Sequence, residues 1–165
     1  MTKIQHSPTD TDAGSSTAPT PEATPVHPAF VNDRAAEWLG VEVLRAGFGD
    51  VLIRMQLREE MLNGYGVAQG GMVTAFADVA FALACNDPNG DGSTVTVASG
   101  LDINFINPGF AGRTLTARAT LVSQTGRSGL FDIRVAQGTP DGGEETLAEL
   151  RGRSRTIPNP SHRTP

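Results

Sequence analysis

Hydrophobic side chains follow two different spacings along this chain, and each spacing predicts one kind of secondary structure. Residues 72–86 are apolar on every side of a helix apart from Thr74 and Asp78. A helix that is hydrophobic all round is buried inside its fold. Four later segments alternate apolar and polar residues with a period of two, which predicts strands with one buried face. They are residues 94–106, 113–124, 130–137 and 146–157.

A short helix is predicted over residues 32–39, ahead of the long apolar one. Asn32 is in position to cap its first turn, and Gly40 suits its C-terminal end. Trp38 and Leu39 would supply its buried side. We expect this helix to dock on the sheet.

A β-hairpin is predicted between the short helix and the long one, from residues 41–45 and 50–58 with a turn at 47–49. A long apolar helix between a hairpin and a run of antiparallel strands has few ways to bury all its sides, and the simplest is a sheet that curls around it. The predicted class is therefore α+β, with a strongly curved antiparallel sheet around a central helix.

Composition divides the 165 residues into three parts. Residues 1–28 are rich in Thr, Pro, Ser and Ala and predict a disordered tail, residues 29–157 predict one domain, and residues 158–165 predict a short C-terminal tail. The sequence has neither an apolar run long enough to span a bilayer nor a signal-peptide pattern, so we expect a cytoplasmic protein with no membrane partner. A net charge of −5 argues against a nucleic-acid partner.

The histidines and the single cysteine exclude several kinds of chemistry. Cys85 has no second cysteine for a disulfide or a thiolate metal site. His6, His27 and His162 all lie in the predicted tails. Ser-His-Asp, Cys-His and most hydrolytic zinc mechanisms need a positioned imidazole. We therefore expect no metal and no cofactor, and chemistry that runs on carboxylate, amide or hydroxyl groups.

Asp78 is the first candidate for that chemistry, because a carboxylate on an apolar helix is costly to bury without a partner. Thr74 lies one turn earlier on the same face. If this stripe faces a cleft, loss of hydration raises the carboxyl pKa and makes Asp78 a stronger base. The alternative is structural: Asp78 caps a neighbouring loop or pairs with an arginine.

Gly70 and Gly71 precede the predicted helix and form the second candidate. Free N–H groups and the positive end of the helix dipole meet there, so an anion or a developing oxyanion could bind. The alternative is a tight entry turn. Eight residues of helix rise about 12 Å, so a ligand that contacts both Gly70 and Asp78 lies along the helix or receives the two groups from different subunits.

Charged side chains recur on one face of the last predicted strand and form the third candidate. They are Glu149, Arg151, Arg153 and Arg155. Aligned guanidinium groups suit phosphates, and the turn residues Arg127, Ser128 and Gly129 could join such a site. The alternative is a solvated outer face in which acidic side chains on the next strand, such as Asp132, balance the arginines.

Short motifs appear in a fixed order through residues 30–157. They are Met61-Leu62-Asn63-Gly64, Gln69-Gly70-Gly71, Ala77-Asp78-Val79-Ala80-Phe81-Ala82, Val97-Ala98-Ser99, Asn107-Pro108-Gly109, Gly126-Arg127-Ser128-Gly129, Phe131-Asp132-Ile133 and Leu150-Arg151-Gly152-Arg153-Ser154-Arg155. In this register the chain resembles the hotdog-fold thioesterases, and within them the group typified by the phenylacetate-degradation thioesterase.

The resemblance implies a fold, an assembly and a set of roles. The helix is wrapped by the sheet, and subunits pair into a dimer, often doubled to a tetramer, with each site built from both subunits. Asp78 falls on the catalytic acid, which acts as base or nucleophile on an acyl-CoA thioester. The Gly70 N–H would polarise the thioester carbonyl, and Asn63 would hold water or substrate. Gln69 stands where many relatives carry histidine.

The predicted function is therefore hydrolysis of an acyl-CoA, with an aryl-acetyl or medium-chain acyl group. Gln69 can donate and accept hydrogen bonds but cannot take a proton near neutral pH, which keeps a non-catalytic acyl-CoA-binding protein as one alternative. A hotdog-type enoyl-thioester hydratase is the other, although such enzymes usually pair a histidine with a carboxylate.

Overall fold

The computed structural model describes residues 27–162. Residues 1–26, which hold nearly all of the predicted N-terminal tail, and residues 163–165 lie outside the described part. No helix within residues 27–162 is both long and apolar enough to cross a membrane.

A single six-stranded antiparallel sheet forms most of the described structure. Its strands are β1 (Glu42–Gly47), β2 (Asp50–Gln56), β3 (Thr94–Phe105), β4 (Thr114–Thr125), β5 (Ser128–Gly138) and β6 (Glu144–Pro158). The order across the sheet is β1-β2-β4-β5-β6-β3, so β1 and β3 are its edges. The predicted α+β class and the antiparallel sheet are confirmed.

Helix α2 (Gly70–Cys85) packs in the concave side of this sheet and contacts all of its strands. Its buried face includes Phe76 and Phe81, and Phe81 meets Phe131 of β5 edge to face at 5.3 Å between ring centroids. Gly152 of β6 leaves the space for this pair, because a Cβ there would lie 2.9 Å from the Phe81 ring. The sheet therefore closes tightly on the helix.

The start of α2 differs from the prediction, which placed Gly70 and Gly71 before the helix. Both glycines belong to its first turn, and Gln69 is the N-cap. At the other end Asn86 ties the helix to β3, since its Nδ2 donates to the carbonyls of Ala82 and Thr96, each at 2.9 Å.

Helix α1 (Arg34–Leu39) corrects two details of the sequence analysis. Its cap is Asp33, whose Oδ1 accepts from the backbone N–H groups of residues 35 and 36, each at 3.0 Å. Asn32 instead adopts a left-handed conformation with φ of 62°. Trp38 is 53% exposed, and the Arg58 guanidinium lies over its ring at 5.2 Å. The Arg58 cation over the indole thus replaces the burial that was predicted for Trp38.

His27 is the third correction, because it belongs to the packed structure rather than to a tail. Its side chain is buried, its Nδ1 accepts from the Ala29 N–H at 3.1 Å, and its Nε2 lies 2.9 Å from the Asn86 carbonyl oxygen. Since Nδ1 is an acceptor, Nε2 carries the proton and donates to Asn86. The ring secures the N-terminal segment to the C-terminal end of α2.

Candidate active site

Asp78 lies on the least buried stripe of α2, together with Thr74, Ala75 and Ala82. The carboxylate is half-buried, and within residues 27–162 it has neither a hydrogen-bond donor nor a cation as partner. The structural alternative, in which Asp78 caps a loop or pairs with an arginine, therefore has no support in the described part of the chain.

Two features raise the pKa of the Asp78 carboxyl above its ordinary value. Loss of hydration is the larger, and the negative charge of the Asp33 carboxylate beside helix α1 is the smaller. Both disfavour the ionised form, so the group holds a proton more readily than an exposed aspartate does. A carboxylate in this state is a stronger base once it is ionised.

Thr74 shares the Asp78 face, as predicted. Its hydroxyl donates to the Gly70 carbonyl at 2.8 Å, inside the helix. The hydroxyl oxygen can still accept a hydrogen bond. Thr74 is therefore in position to contact a ligand that lies along α2 between Gly70 and Asp78.

Gly70 opens α2 beneath the ring of Phe105, the last residue of β3. A Cβ added at Gly70 would lie 2.9 Å from the tip of that ring, whereas a Cβ at Gly71 would meet nothing within 4 Å. The ring is 56% exposed. Only glycine lets the ring lie this close to the helix start, a restriction that the sequence pattern did not reveal.

Asn63 stands in the loop that leads into α2 and shares a cavity with Gly70. Its Oδ1 accepts from the Tyr65 N–H at 2.9 Å, which fixes the side chain within the loop. The cavity is about 300 Å³ in volume, and Asn63 and Gly70 line it together with apolar residues such as Val73 and Phe105. Asp78 does not line it. The structure thus brings Asn63 and Gly70 together and leaves Asp78 two turns further along the helix.

Comparison with known proteins assigns this arrangement to a family. Residues 65–143 match the model of the thioesterase superfamily. The acyl-coenzyme A thioesterase PaaI of Escherichia coli (strain K12) is 36% identical over 131 residues, which cover 79% of this chain and 88% of PaaI. The chain belongs to the thioesterase superfamily. It is a thioester hydrolase with the hotdog fold, as the motif register predicted.

Two solved structures show the same fold. The PaaI protein from the phenylacetic acid degradation operon of E. coli superposes with a TM-score of 0.70 at 35% identity, over 79% of this chain and 88% of PaaI. The TT0310 protein of Thermus thermophilus superposes with a TM-score of 0.63 at 30% identity, over 73% of this chain and 94% of that protein. The match therefore extends over most of the described hotdog domain.

The arginines of β6 lie on the outer face of the thioesterase's sheet, opposite α2. Arg151 pairs with Asp132 at 2.7 Å, Arg153 pairs with Asp102, and Glu149 pairs with Arg134 at 2.6 Å. The predicted alternative of a solvated face with cross-strand partners describes these side chains. For Arg151 and Arg153 the phosphate-binding interpretation is accordingly the weaker one, since a ligand would have to displace a carboxylate from each.

Arg127 and Arg155 differ from that set, because neither guanidinium has a hydrogen-bond or ion-pair partner in residues 27–162. Ser128 pairs with Arg155 across the β5–β6 ladder, and the Arg127 carbonyl accepts from the N–H of the next β6 residue at 2.8 Å. The turn of Arg127, Ser128 and Gly129 and the exposed Arg155 therefore meet at one corner of the sheet. Free cations at this corner suit a phosphate better than the paired arginines do.

The described residues contain no group of three or more His, Cys, Asp or Glu side chains placed to hold a metal ion. Cys85 is buried, and loss of hydration is the main cause that raises the pKa of its thiol to about 12. A thiol in that state is not a nucleophile at neutral pH. Of the two titratable side chains on α2, Asp78 is therefore the one that is partly exposed.

Proposed function

We propose that this thioesterase hydrolyses an acyl-coenzyme A thioester to the free acid and coenzyme A, and that Asp78 carries the reaction. The observation that supports it is the half-buried, unpartnered carboxylate with a raised pKa on the open stripe of α2. Carboxylates whose surroundings perturb their pKa cluster at catalytic sites. The acyl-CoA substrate class follows the name of the E. coli relative.

Hydrolysis by this group follows one of two routes. As a general base, Asp78 takes a proton from water while the water oxygen attacks the thioester carbon; the C–S bond then breaks and the coenzyme A sulfur leaves as thiolate and is protonated. As a nucleophile, the carboxylate attacks the carbon itself, expels the thiolate and forms a mixed anhydride that water hydrolyses. In both routes the Gly70 N–H stabilises the negative charge on the carbonyl oxygen, and Asn63 orients water or substrate.

The spacing of these groups supports a site shared between two subunits. Gly70 and Asp78 are separated by about 12 Å of helix rise, too far to act on one carbonyl group from the same subunit. The outer edge of the long strand β3 pairs with no other strand of the described chain, and an unpaired edge can accept a second copy. We propose a dimer, or a dimer of dimers, in which Asp78 of one subunit faces Gly70 of another.

The cavity at Gly70 supports an apolar acyl group. Its walls combine the Asn63 amide with Val73, Phe105 and Leu147, and its volume of about 300 Å³ suits an aryl-acetyl or medium-chain acyl group. The phosphates of coenzyme A would lie at the sheet corner that carries Arg127 and Ser128. The phenylacetic acid operon that gives the E. coli structure its name favours the aryl-acetyl class.

A thiol-release assay over aromatic and aliphatic acyl-CoAs tests this proposal. We expect hydrolysis by the unaltered protein and a loss of several orders of magnitude in kcat for Asp78→Asn. Asp141→Asn is the matched control, because Asp141 is exposed in the β5–β6 turn, and it should retain full activity. Tight acyl-CoA binding without hydrolysis across the panel would instead support the non-catalytic binding protein.

The hydratase alternative needs an imidazole paired with the carboxylate, and among the side chains that the structure describes no histidine hydrogen-bonds to Asp78. His27 lies at the opposite end of α2 from Gly70, and both of its ring nitrogens are engaged, with Ala29 and Asn86. Hydration of an enoyl thioester uses such a ring to move a proton. Hydrolysis needs only the carboxylate and an N–H donor.

A further inference from the structure

Gln69 caps helix α2 with its side chain as well as its main chain. Its carbonyl oxygen accepts from the backbone N–H groups of Met72 and Val73, at 2.8 and 3.2 Å. Its side-chain Oε1 accepts from the N–H of Gly70 at 3.2 Å. N-cap side chains ordinarily bond the N–H of the second or third helical residue. Here the longer side chain bonds the very N–H that the proposed mechanism uses to polarise the substrate.

We infer that Gln69 is a displaceable cap on the Gly70 N–H, which the substrate carbonyl must remove before it can bind there. This inference rests on the proposed function. An N–H group makes one well-aligned hydrogen bond, and sharing it between two acceptors weakens both. The amide oxygen of Gln69 and the carbonyl oxygen of the thioester therefore compete for a single donor.

The geometry allows the substrate carbonyl to displace the Gln69 side chain from the Gly70 N–H. The Gln69 side chain is exposed, its acceptor is uncharged, and the bond is at the long end of the ordinary range. The net contribution of such a bond corresponds to about a two- to ten-fold change in an equilibrium constant. Gln69 thus acts as a positioning residue: it keeps the helix start satisfied in the empty enzyme and weakens substrate binding by roughly that factor.

Because both acceptors compete for one donor, a substitution that weakens the cap should lower the stability of the helix start and raise substrate affinity. A substitution that strengthens the cap should do the reverse. In Gln69→Ala the cap is absent, so we expect a lower Tm and a KM that falls about two- to ten-fold with kcat nearly unchanged, because ground state and transition state gain alike. In Gln69→Glu the charged acceptor binds the N–H more strongly, and its negative charge interacts favourably with the positive end of the helix dipole. That variant should have a higher Tm and a higher KM, and its KM should recover as the pH falls and the carboxyl becomes protonated.

A structural cap without competition would move Tm alone. Gln56→Ala is the matched control, because Gln56 is also exposed and its Oε1 also accepts one hydrogen bond, from the Thr114 hydroxyl at 3.3 Å. Its KM should equal that of the unaltered enzyme. Equal KM values for Gln69→Ala, Gln69→Glu and the unaltered enzyme would overturn the inference, as would a raised KM in Gln69→Ala.

Binding measurements separate this inference from the proposed hydrolysis. A non-hydrolysable coenzyme A ketone, with a CH₂ group between sulfur and carbonyl, keeps the acceptor oxygen, whereas the corresponding thioether lacks it. Calorimetry should show that Gln69→Ala binds the ketone about two- to ten-fold more tightly and binds the thioether unchanged. If Gln69→Ala binds the ketone as the unaltered enzyme does and hydrolysis is intact, the displaceable cap is refuted and the proposed function stands. Absent hydrolysis alongside the expected ketone result refutes the proposed function alone.

Discussion

Substitution of Gly70 by alanine tests whether the close approach of Phe105 to the helix start serves the site. The added methyl group would lie 2.9 Å from the tip of the Phe105 ring and 3.4 Å from its two neighbouring carbons. A real Cβ does not tolerate 2.9 Å, so the ring must move. Because that ring also walls the cavity shared by Gly70 and Asn63, its displacement changes the space in which the acyl carbonyl is proposed to bind.

Two stability terms nearly cancel in Gly70→Ala. Alanine favours a helix over glycine by about 1 kcal/mol, and moving a crowded side chain costs about 1–3 kcal/mol when it is confined in a core. The Phe105 ring is 56% exposed and can turn toward solvent, so the cost falls at the lower end. We expect the free energy of unfolding to change by less than about 1 kcal/mol, which corresponds to a few degrees in Tm.

Activity should change more than stability. Removal of an oxyanion donor lowers kcat by about 10²–10³-fold, and here the donor remains but the space around it changes. We expect kcat/KM to fall by at least about ten-fold, or about 1.4 kcal/mol, in a thiol-release assay. Gly71→Ala is the control, because its methyl group meets nothing within 4 Å. Equal activities of the two variants would refute the reasoning, and so would a failure of Phe105→Ala to restore Gly70→Ala.

Three further predictions concern the charge beside Asp78, the packing of Phe81 and the burial of Cys85. Asp33→Asn keeps a capping oxygen at α1 but removes the charge that helps raise the Asp78 pKa; since the base acts when ionised, the acid limb of the pH–rate profile should move to lower pH, and an unmoved limb would contradict the assignment. Gly152→Ala places a Cβ 2.9 Å from the buried Phe81 ring, so the free energy of unfolding measured with denaturant should fall by about 1–3 kcal/mol. An unchanged midpoint would contradict the tight packing of Phe81 against β6. The Cys85 thiol, 3% exposed with a pKa of about 12, should react with Ellman's reagent only after unfolding; rapid reaction of the native protein would contradict its burial.

The long strands could be predicted because their period-two alternation reflects burial on one side. All four predicted segments end within two residues of β3, β4, β5 and β6. The apolar stretch likewise located α2, since no other element within residues 27–162 is hydrophobic on every side. Its first two residues were missed because Gly70 and Gly71 are poor helix formers, and packing beneath Phe105 outweighs that local preference.

Side-chain partners were less predictable because they depend on register and on contacts between distant segments. The prediction that Asp132 balances the β6 arginines required only that β5 and β6 be neighbours in the sheet. Arg151 does pair with Asp132. The contact between His27 and Asn86 joins residues 59 positions apart, so no local pattern reveals it. The same holds for Asp78: its sequence position showed an isolated charge, but only the folded chain shows that no described cation reaches it.

The measurement that tests the central claim most directly is the turnover of Asp78→Asn on an acyl-CoA, read together with its thermal stability. Because the pKa of Asp78 is raised on folding, its stabilising effect is present at low pH and is lost as the pH rises through the folded-state pKa. At neutral pH the ionised group therefore weakens folding, and Asp78→Asn should have an equal or higher Tm. We predict a loss of several orders of magnitude in kcat by a protein at least as stable as the original. Undiminished turnover by that folded variant would contradict the account.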